Sequence, residues 1–216
     1  MMKLAKYAML SVSLGVVLCA TAQANLLING DFEQGDCAWL GDSPVIPGWT
    51  YWGTDGWHHN DEGYKFDDKG MLVWWDSVGM YQDVFDVVVG QDYEFSVYAI
   101  TKSTDMLKGW DFVVKAEWTT ENWETIGSTE IGRFVGAKSE SDPGDGTDTW
   151  KLISGTSTAV EGAAHGKIYF QLVQAGDWGY TGGSVCFDNA SVVAVPEPAT
   201  LVFLGLGGFL FVRRRK

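Results

Sequence analysis

The run Tyr51-Trp52-Gly53-Thr54-Asp55-Gly56-Trp57-His58-His59 is the densest gathering in this chain of side chains suited to holding a sugar. A flat aromatic ring packs against the apolar C–H side of a pyranose, while acids, amides and imidazoles take its hydroxyls. The chain has 11 tryptophans, all between residues 25 and 195, and several stand in polar, loop-like context: Trp52, Trp57, Trp123, and Trp178 beside Gly179-Tyr180. The same chemistry has a second possible platform on the outward side of β-strands, where Tyr98, Tyr169 and Gln171 alternate with apolar residues. The candidate contacts are therefore Trp52, Trp57, His58, Tyr98, Tyr169, Gln171, Trp178 and Tyr180. Any one tryptophan can instead be a core ring, the reading taken for Trp49, Trp74, Trp118 and Trp150.

Other chemistries find less support. His58-His59 and His165 lack the spacing of a zinc motif, and adjacent histidines point in different directions. Asp142, Asp145 and Asp148 recur beside glycines without the EF-hand pattern, so Ser139–Thr149 reads as a solvated acidic loop. There is no Gly-x-Ser-x-Gly elbow, no His-Glu-x-x-His and no Cys–His arrangement. Acids are so abundant that some pair will match any separation glycoside hydrolysis requires, so their number says nothing. The expectation is a protein without catalytic residues, a binder or matrix component. A purely structural surface protein and a polysaccharide-active enzyme with an unrecognised site are the alternatives.

The elements that must position these residues are short alternating runs separated by Gly, Asp, Asn and Thr. Tyr93, Phe95, Val97 and Ala99 alternate with Glu94, Ser96, Tyr98 and Ile100. Phe112, Val114, Ala116 and Trp118 form a second such set, and Ile168, Phe170 and Leu172 a third. Further strands are predicted at Leu26–Phe32, Met71–Trp75, Met80–Val84, Trp150–Thr156 and Val185–Val193. Together they predict an all-β, antiparallel two-sheet sandwich. Residues 25–195 hold nine of the 15 Lys and Arg and 27 of the 28 acids, a formal charge of −18. Such a surface repels phosphate backbones, which excludes nucleic acid as a partner, and suits an extracellular protein or one that binds divalent cations.

Both ends lie outside this fold. Lys3 and Lys6, the apolar run Ala8–Ala20 and the small-x-small site Ala22-Gln23-Ala24 read as a signal peptide over 1–24, cleaved before Asn25. An uncleaved anchor is the competing reading. Export permits a disulfide between Cys37 and Cys186, worth about 4–5 kcal/mol in the chain-entropy model for a loop of this size. Two buried free thiols are the alternative. At the other end, Ala199–Val212 is apolar and is followed by Arg213-Arg214-Arg215-Lys216. As a helix this run would reach about 21 Å, short of a hydrocarbon core of about 30 Å. The basic cluster would remain on the cytoplasmic side.

Val195-Pro196-Glu197-Pro198-Ala199-Thr200, with that apolar run and basic stop, resembles the PEP-CTERM sorting domain. The resemblance assigns Pro196, Glu197 and Pro198 to the sorting motif and 195–216 to a sorting signal. It implies an exosortase as processing partner, transient membrane anchoring through 199–212, and a final place at the cell surface or in an exopolysaccharide or biofilm matrix. A short tail anchor is the alternative.

Residues 25–194 carry a second resemblance. Asn25-Leu-Leu-Ile-Asn-Gly-Asp-Phe-Glu33 with Pro47-Gly48-Trp49, then Tyr81-Gln82-Asp83-Val84, then Ser184-Val185-Cys186-Phe187-Asp188-Asn189, is similar to carbohydrate-binding modules of families 4, 9 and 22. These share a galactose-binding-like jelly roll. The resemblance implies exopolysaccharide binding and a structural calcium ion shared by Glu33 and Asp188, with the backbone carbonyl of Asp31 as a further oxygen. Two carboxylates from distant parts of the chain suit calcium, which takes six to eight hard oxygens. Asp61, Glu62, Asp67 and Asp68 are further possible ligands. A solvated turn at Asp31 and Glu33, with Asp188 capping a strand, is the alternative.

Overall fold

A computed structural model describes residues 24–39, 46–53, 56–59, 65–74, 78–84, 87–175 and 181–196. Eleven strands run in chain order: β1 (Ala38–Trp39), β2 (Thr50–Trp52), β3 (Gly56–His59), β4 (Gly70–Trp74), β5 (Gly79–Val84), β6 (Asp92–Ile100), β7 (Trp110–Thr119), β8 (Thr125–Val135), β9 (Lys151–Thr158), β10 (His165–Gln174) and β11 (Ser184–Ala194). They form a six-stranded sheet, ordered β1-β3-β4-β11-β6-β9, and a five-stranded sheet, ordered β2-β5-β10-β7-β8. Every named pairing is antiparallel. The expected two-sheet jelly roll is the fold observed.

Alternation explains how the sheets close on each other. In β10, Gly166, Ile168, Phe170 and Leu172 are buried while His165, Lys167, Tyr169 and Gln171 remain half-buried on the outer side. Tyr93, Phe95, Val97 and Ala99 of β6 turn inward in the same way. Between the sheets Phe112 stacks on Phe187 at 4.8 Å and Trp49 on Phe170 at 5.4 Å. Each such ring contributes roughly 1.5–3 kcal/mol by leaving water. Trp118 reconciles its indole with the core by donating to Ser157 Oγ at 3.1 Å.

Four expectations change. Leu26–Phe32 is a turn rather than a strand: Asn29 and Phe32 sit at φ 52° and 55°, conformations that a pleated strand does not use. Asn-Gly-Asp at 29–31 is turn chemistry, and it outweighs the flanking apolar residues. The segment still docks on β11, through Leu26 N–H to the Val192 carbonyl (2.8 Å) and Ala190 N–H to the Gly30 carbonyl (2.7 Å). β8 was not foreseen, because Thr125–Val135 mixes polar, apolar and glycine residues without a clean alternation and is held by its ladder to β7. Trp49 and Trp118 are core rings, but Trp74 and Trp150 are half-buried. Finally, Cys37 is exposed, Cys186 is buried, and no disulfide joins them. Cys37 immediately precedes β1, three strand positions from β11. At about 4.8 Å per position that is roughly 14 Å, beyond the reach of a disulfide.

The signal peptide (1–23 of its 24 residues), Glu197, Pro198 and the apolar run 199–212 lie outside the described residues. Among the described residues no helix is long and apolar enough to cross a membrane.

Candidate functional site

The outer face of the five-stranded sheet carries a row of aromatic rings. Trp52 on β2 lies opposite Gly79 of β5, which lies opposite Gln171 of β10. A Cβ at Gly79 would come within 2.3 Å of the Trp52 ring and 2.4 Å of the Phe170 carbonyl oxygen, so a residue without a side chain is required for the indole to lie on the sheet. The Trp52 ring is 6.4 Å from Tyr81 and 5.9 Å from Tyr169. Tyr81 and Tyr169, paired across β5 and β10, stack at 5.1 Å with 25° between their planes.

Further along, Lys167 places its ammonium 4.9 Å above Tyr81 and 5.1 Å above Trp123, and 3.5 Å from Asp83 Oδ1. Trp123 stacks on His165 at 4.1 Å. From His165 to Gln171 the strand covers about 20 Å at about 3.3 Å per residue, a length of several sugar units.

Polar groups flank the rings. Burial, and then the negative charges of Glu117, Tyr81 and Asp83, push the Tyr169 phenol up to about 12, and its side chain hydrogen-bonds Glu117. The phenol therefore stays protonated across the physiological range and remains a donor. At the β7–β8 side, Arg133 donates to Asp111 Oδ2 at 2.9 Å and to both Glu130 oxygens at 2.7 and 2.6 Å. Its hydrogen bonds hold the Glu130 carboxyl below the usual carboxylate range. Flat rings flanked by fixed donors and acceptors are what a pyranose chain requires of a binding face.

The outer face of the six-stranded sheet is built differently. Segment 65–69 lies over it, with Phe66 packing on Tyr98 at 4.9 Å and on Trp150 at 4.5 Å. Phe66 N–H donates to Asp188 Oδ2 at 2.8 Å, and Asn189 N–H to Asp188 Oδ1 at 2.6 Å. Glu33 Oε1 accepts from the N–H groups of Asp68 and Lys69 at 2.9 and 3.0 Å. The Lys69 ammonium donates to the carbonyls of Glu33 and Gly35 at 3.0 and 2.6 Å. Glu33 and Asp188 thus hold one loop from two sides, a clasp made of backbone amides. Asp188 is only 1% exposed. Burial raises its carboxyl to about 6, with the charges of Glu33 and Asp67 adding to the effect.

In charge this donor set suits a hard cation: a buried carboxylate is crowded by two others. In geometry it does not gather, because among the described residues no three His, Cys, Asp or Glu side chains come together closely enough to hold a metal ion. Asp31 is exposed beside the clasp, and Asp67 and Asp68 belong to the segment it holds.

The remaining sequence candidates divide clearly. Trp52, Tyr169 and Gln171 share one face, whereas Tyr98 is on the opposite face of the sandwich, on β6. His58 is fully buried, with Nδ1 3.1 Å from the Asp36 carbonyl oxygen and Nε2 2.6 Å from that of Phe32. It braces the 32–36 turn instead of meeting solvent. Trp178, Tyr180, Asp61, Glu62 and the side chain of Trp57 lie outside the described residues. Tyr81, Asp83, Glu117 and Lys167 were not anticipated. Lys167-x-Tyr169-x-Gln171 and Tyr81-x-Asp83 carried the signal, polar or aromatic residues at every second position, but only the β5–β10 pairing joins them.

Comparison with known proteins agrees with both parts of the chain. Residues 194–216 match the PEP-CTERM protein-sorting motif. This motif marks an exported protein that an exosortase processes. No curated protein matches the chain. Among solved structures, the CBM22-1 xylan-binding domain from Paenibacillus barcinonensis Xyn10C superposes with a TM-score of 0.53 at 16% identity, covering 82% of this chain and 99% of that one. TmCBM61, in complex with β-1,4-galactotriose, gives 0.52 at 17% identity, covering 80% of this chain and 99% of that one. The enzymatically active domain of bacteriophage CBA120 tailspike protein 4 gives 0.52 at 14% identity, covering 79% of this chain. The chain spans only 21% of that tailspike domain's length. At these identities the likeness is one of fold, a jelly roll found in carbohydrate-binding modules and in parts of larger enzymes.

Proposed function

We propose that this protein is an exported surface or matrix component whose sandwich binds a polysaccharide, without cleaving it, on the outer face of the five-stranded sheet. The observation that carries this reading is the row Trp52–Tyr81–Tyr169, stacked along a solvent-facing sheet beside Glu117, Gln171 and Asp83. Large rings kept half-exposed cost solubility, and a stacking ligand offsets that cost. The fold neighbours named for xylan binding and for a galactotriose complex support the same reading. The tail would hold the protein in the membrane through 199–212 until the exosortase acts at Pro196-Glu197-Pro198. Affinity electrophoresis in gels containing the producing cell's exopolysaccharide tests the binding. Wild type should be retarded, and Trp52→Ala and Tyr169→Ala should run free. Unretarded wild type across a broad polysaccharide panel would leave a purely structural role, and new reducing ends or unsaturated products would make it an enzyme.

We further propose calcium as a ligand of the Glu33–Asp188 clasp. Its support is the buried Asp188 carboxylate with Glu33 and Asp67 nearby. Calcium should raise the melting temperature of wild type by several degrees over chelator and leave Asp188→Ala unchanged. An equal rise in both would sink the assignment.

A further inference from the structure

The two ends of the sandwich differ in character, and the chain leaves the fold from the less polar one. One end is formed by the turns β5–β6 (87–91), β7–β8 (120–124) and β9–β10 (159–164), together with the last residues of β11. Gly90 N–H donates to the Ala159 carbonyl at 2.8 Å, Ala159 N–H to the Gln91 carbonyl at 2.9 Å, and Val195 N–H to the Asp92 carbonyl at 2.8 Å. The Gln91 amide also donates to the Val195 carbonyl. The exit of the chain is therefore fastened to the β5–β6 turn. That end carries Val88, Val89, Trp123 and Ile126, which are 62%, 50%, 43% and 41% exposed. They are half of the exposed large apolar side chains among the described residues, all at one pole. The opposite pole holds Asp105 and the acidic 139–149 loop with Glu140, Asp142, Asp145 and Asp148.

From Val195 to Ala199, where the apolar run begins, there are four residues, at most about 14 Å of extended chain. Any bilayer that receives 199–212 must then lie against this apolar pole. We propose that, while the tail is attached, Val88, Val89 and Ile126 rest in the lipid interface and orient the sandwich on the membrane, with Trp123 at the corner between this rim and the ring-bearing face. This rests on the reading of 199–212 as membrane-inserted. Glu121, Glu124 and Glu161 stand at the same pole, so the contact is apolar and not electrostatic. A tryptophan beside exposed aliphatic tips suits the interface, where an indole keeps one edge wet. The ring-bearing face then stands upright from the membrane, open from the side to a glycan chain.

The test uses the chain from Asn25 to Lys216, tail included and without the signal peptide that carries Cys19, in a Cys37→Ser background, reconstituted in phosphatidylcholine vesicles. Cys186 is buried and leaves single introduced cysteines as the labelling sites. Environment-sensitive fluorophores are attached at Val88→Cys, Val89→Cys, Ser103→Cys (opposite pole) and Leu206→Cys (tail). Lipid-borne quencher should quench positions 88, 89 and 206 several-fold more than 103. Quenching at 206 with 88 and 89 behaving like 103 overturns the proposal and leaves the tail reading intact. Protection of 88 and 89 from a soluble quencher without access to the lipid quencher means a second copy covers the rim, which also overturns it. No quenching at 206 removes the tail reading, and the proposal with it.

Discussion

The two outer faces of this sandwich are made from the same alternating strands and arrange their rings differently. On the five-stranded sheet Trp52, Tyr81 and Tyr169 pack edge to edge and stay half-buried, with no described segment packed on them as Phe66 packs on Tyr98. On the six-stranded sheet Tyr98 and Trp150 lie under Phe66, while Cys186 and Asp188 are almost wholly buried. The difference comes from a single covering segment, 65–69, held by Glu33 and Asp188 through three of its backbone amides. Aromatic residues at outward strand positions are therefore not sufficient for a binding face. What decides is whether a loop has been fastened over them.

This contrast can be broken at several points. The largest effect is expected from Trp52→Ala combined with Tyr169→Ala. Loss of two stacking anchors at about 2 kcal/mol each, roughly 30-fold apiece, should take polysaccharide binding below detection in isothermal titration, in a variant whose circular dichroism still shows the folded sandwich. Next comes pH, measured in chelator. Asp188 has its carboxyl raised to about 6 by burial, above its unfolded value, so the fold favours its protonated form. The stability from this group is complete below about pH 4 and is lost as pH rises through about 6, a change of about 2–3 kcal/mol in urea unfolding. A flat profile across this window would mean that Asp188 is not the buried acid of the clasp. Tyr98→Ala should cost about 1–2 kcal/mol of stability by removing the ring on which Phe66 packs and should leave glycan affinity unaltered. Glu130→Gln should matter least: it removes a surface ion pair with Arg133, worth no more than about 0.5 kcal/mol.

Much of the fold was legible in the chain. The alternation of β6, β7 and β10 specified which side of each strand met the core, and turn residues separated them. The sites were legible only in pieces. Tyr169 and Gln171 could be read as outward-facing, but whether Tyr98 joined them depended on sheet assignment, a long-range pairing that alternation does not encode. Lys167 and Asp83 look like ordinary surface charges until β5 and β10 bring them to one face. His58 looked accessible in a run of glycines and aromatics, yet two backbone carbonyls draw its ring inward. The bridge between Cys37 and Cys186 failed for a related reason: Cys37 adjoins the edge strand β1 of the sheet that holds Cys186, and strand order separates them.

At issue is whether a glycan meets the ring-bearing face of β2, β5 and β10 or the face under Phe66. Backbone amide chemical shifts of the isotopically labelled mature protein, followed as exopolysaccharide fragments are added, test it most directly. Perturbations should concentrate at Trp52, Tyr81, Asp83, Lys167, Tyr169 and Gln171, with Tyr98, Leu152 and Asp188 silent. Shifts centred on Tyr98 and Phe66, or none on β5 and β10 at saturating fragment, would contradict it.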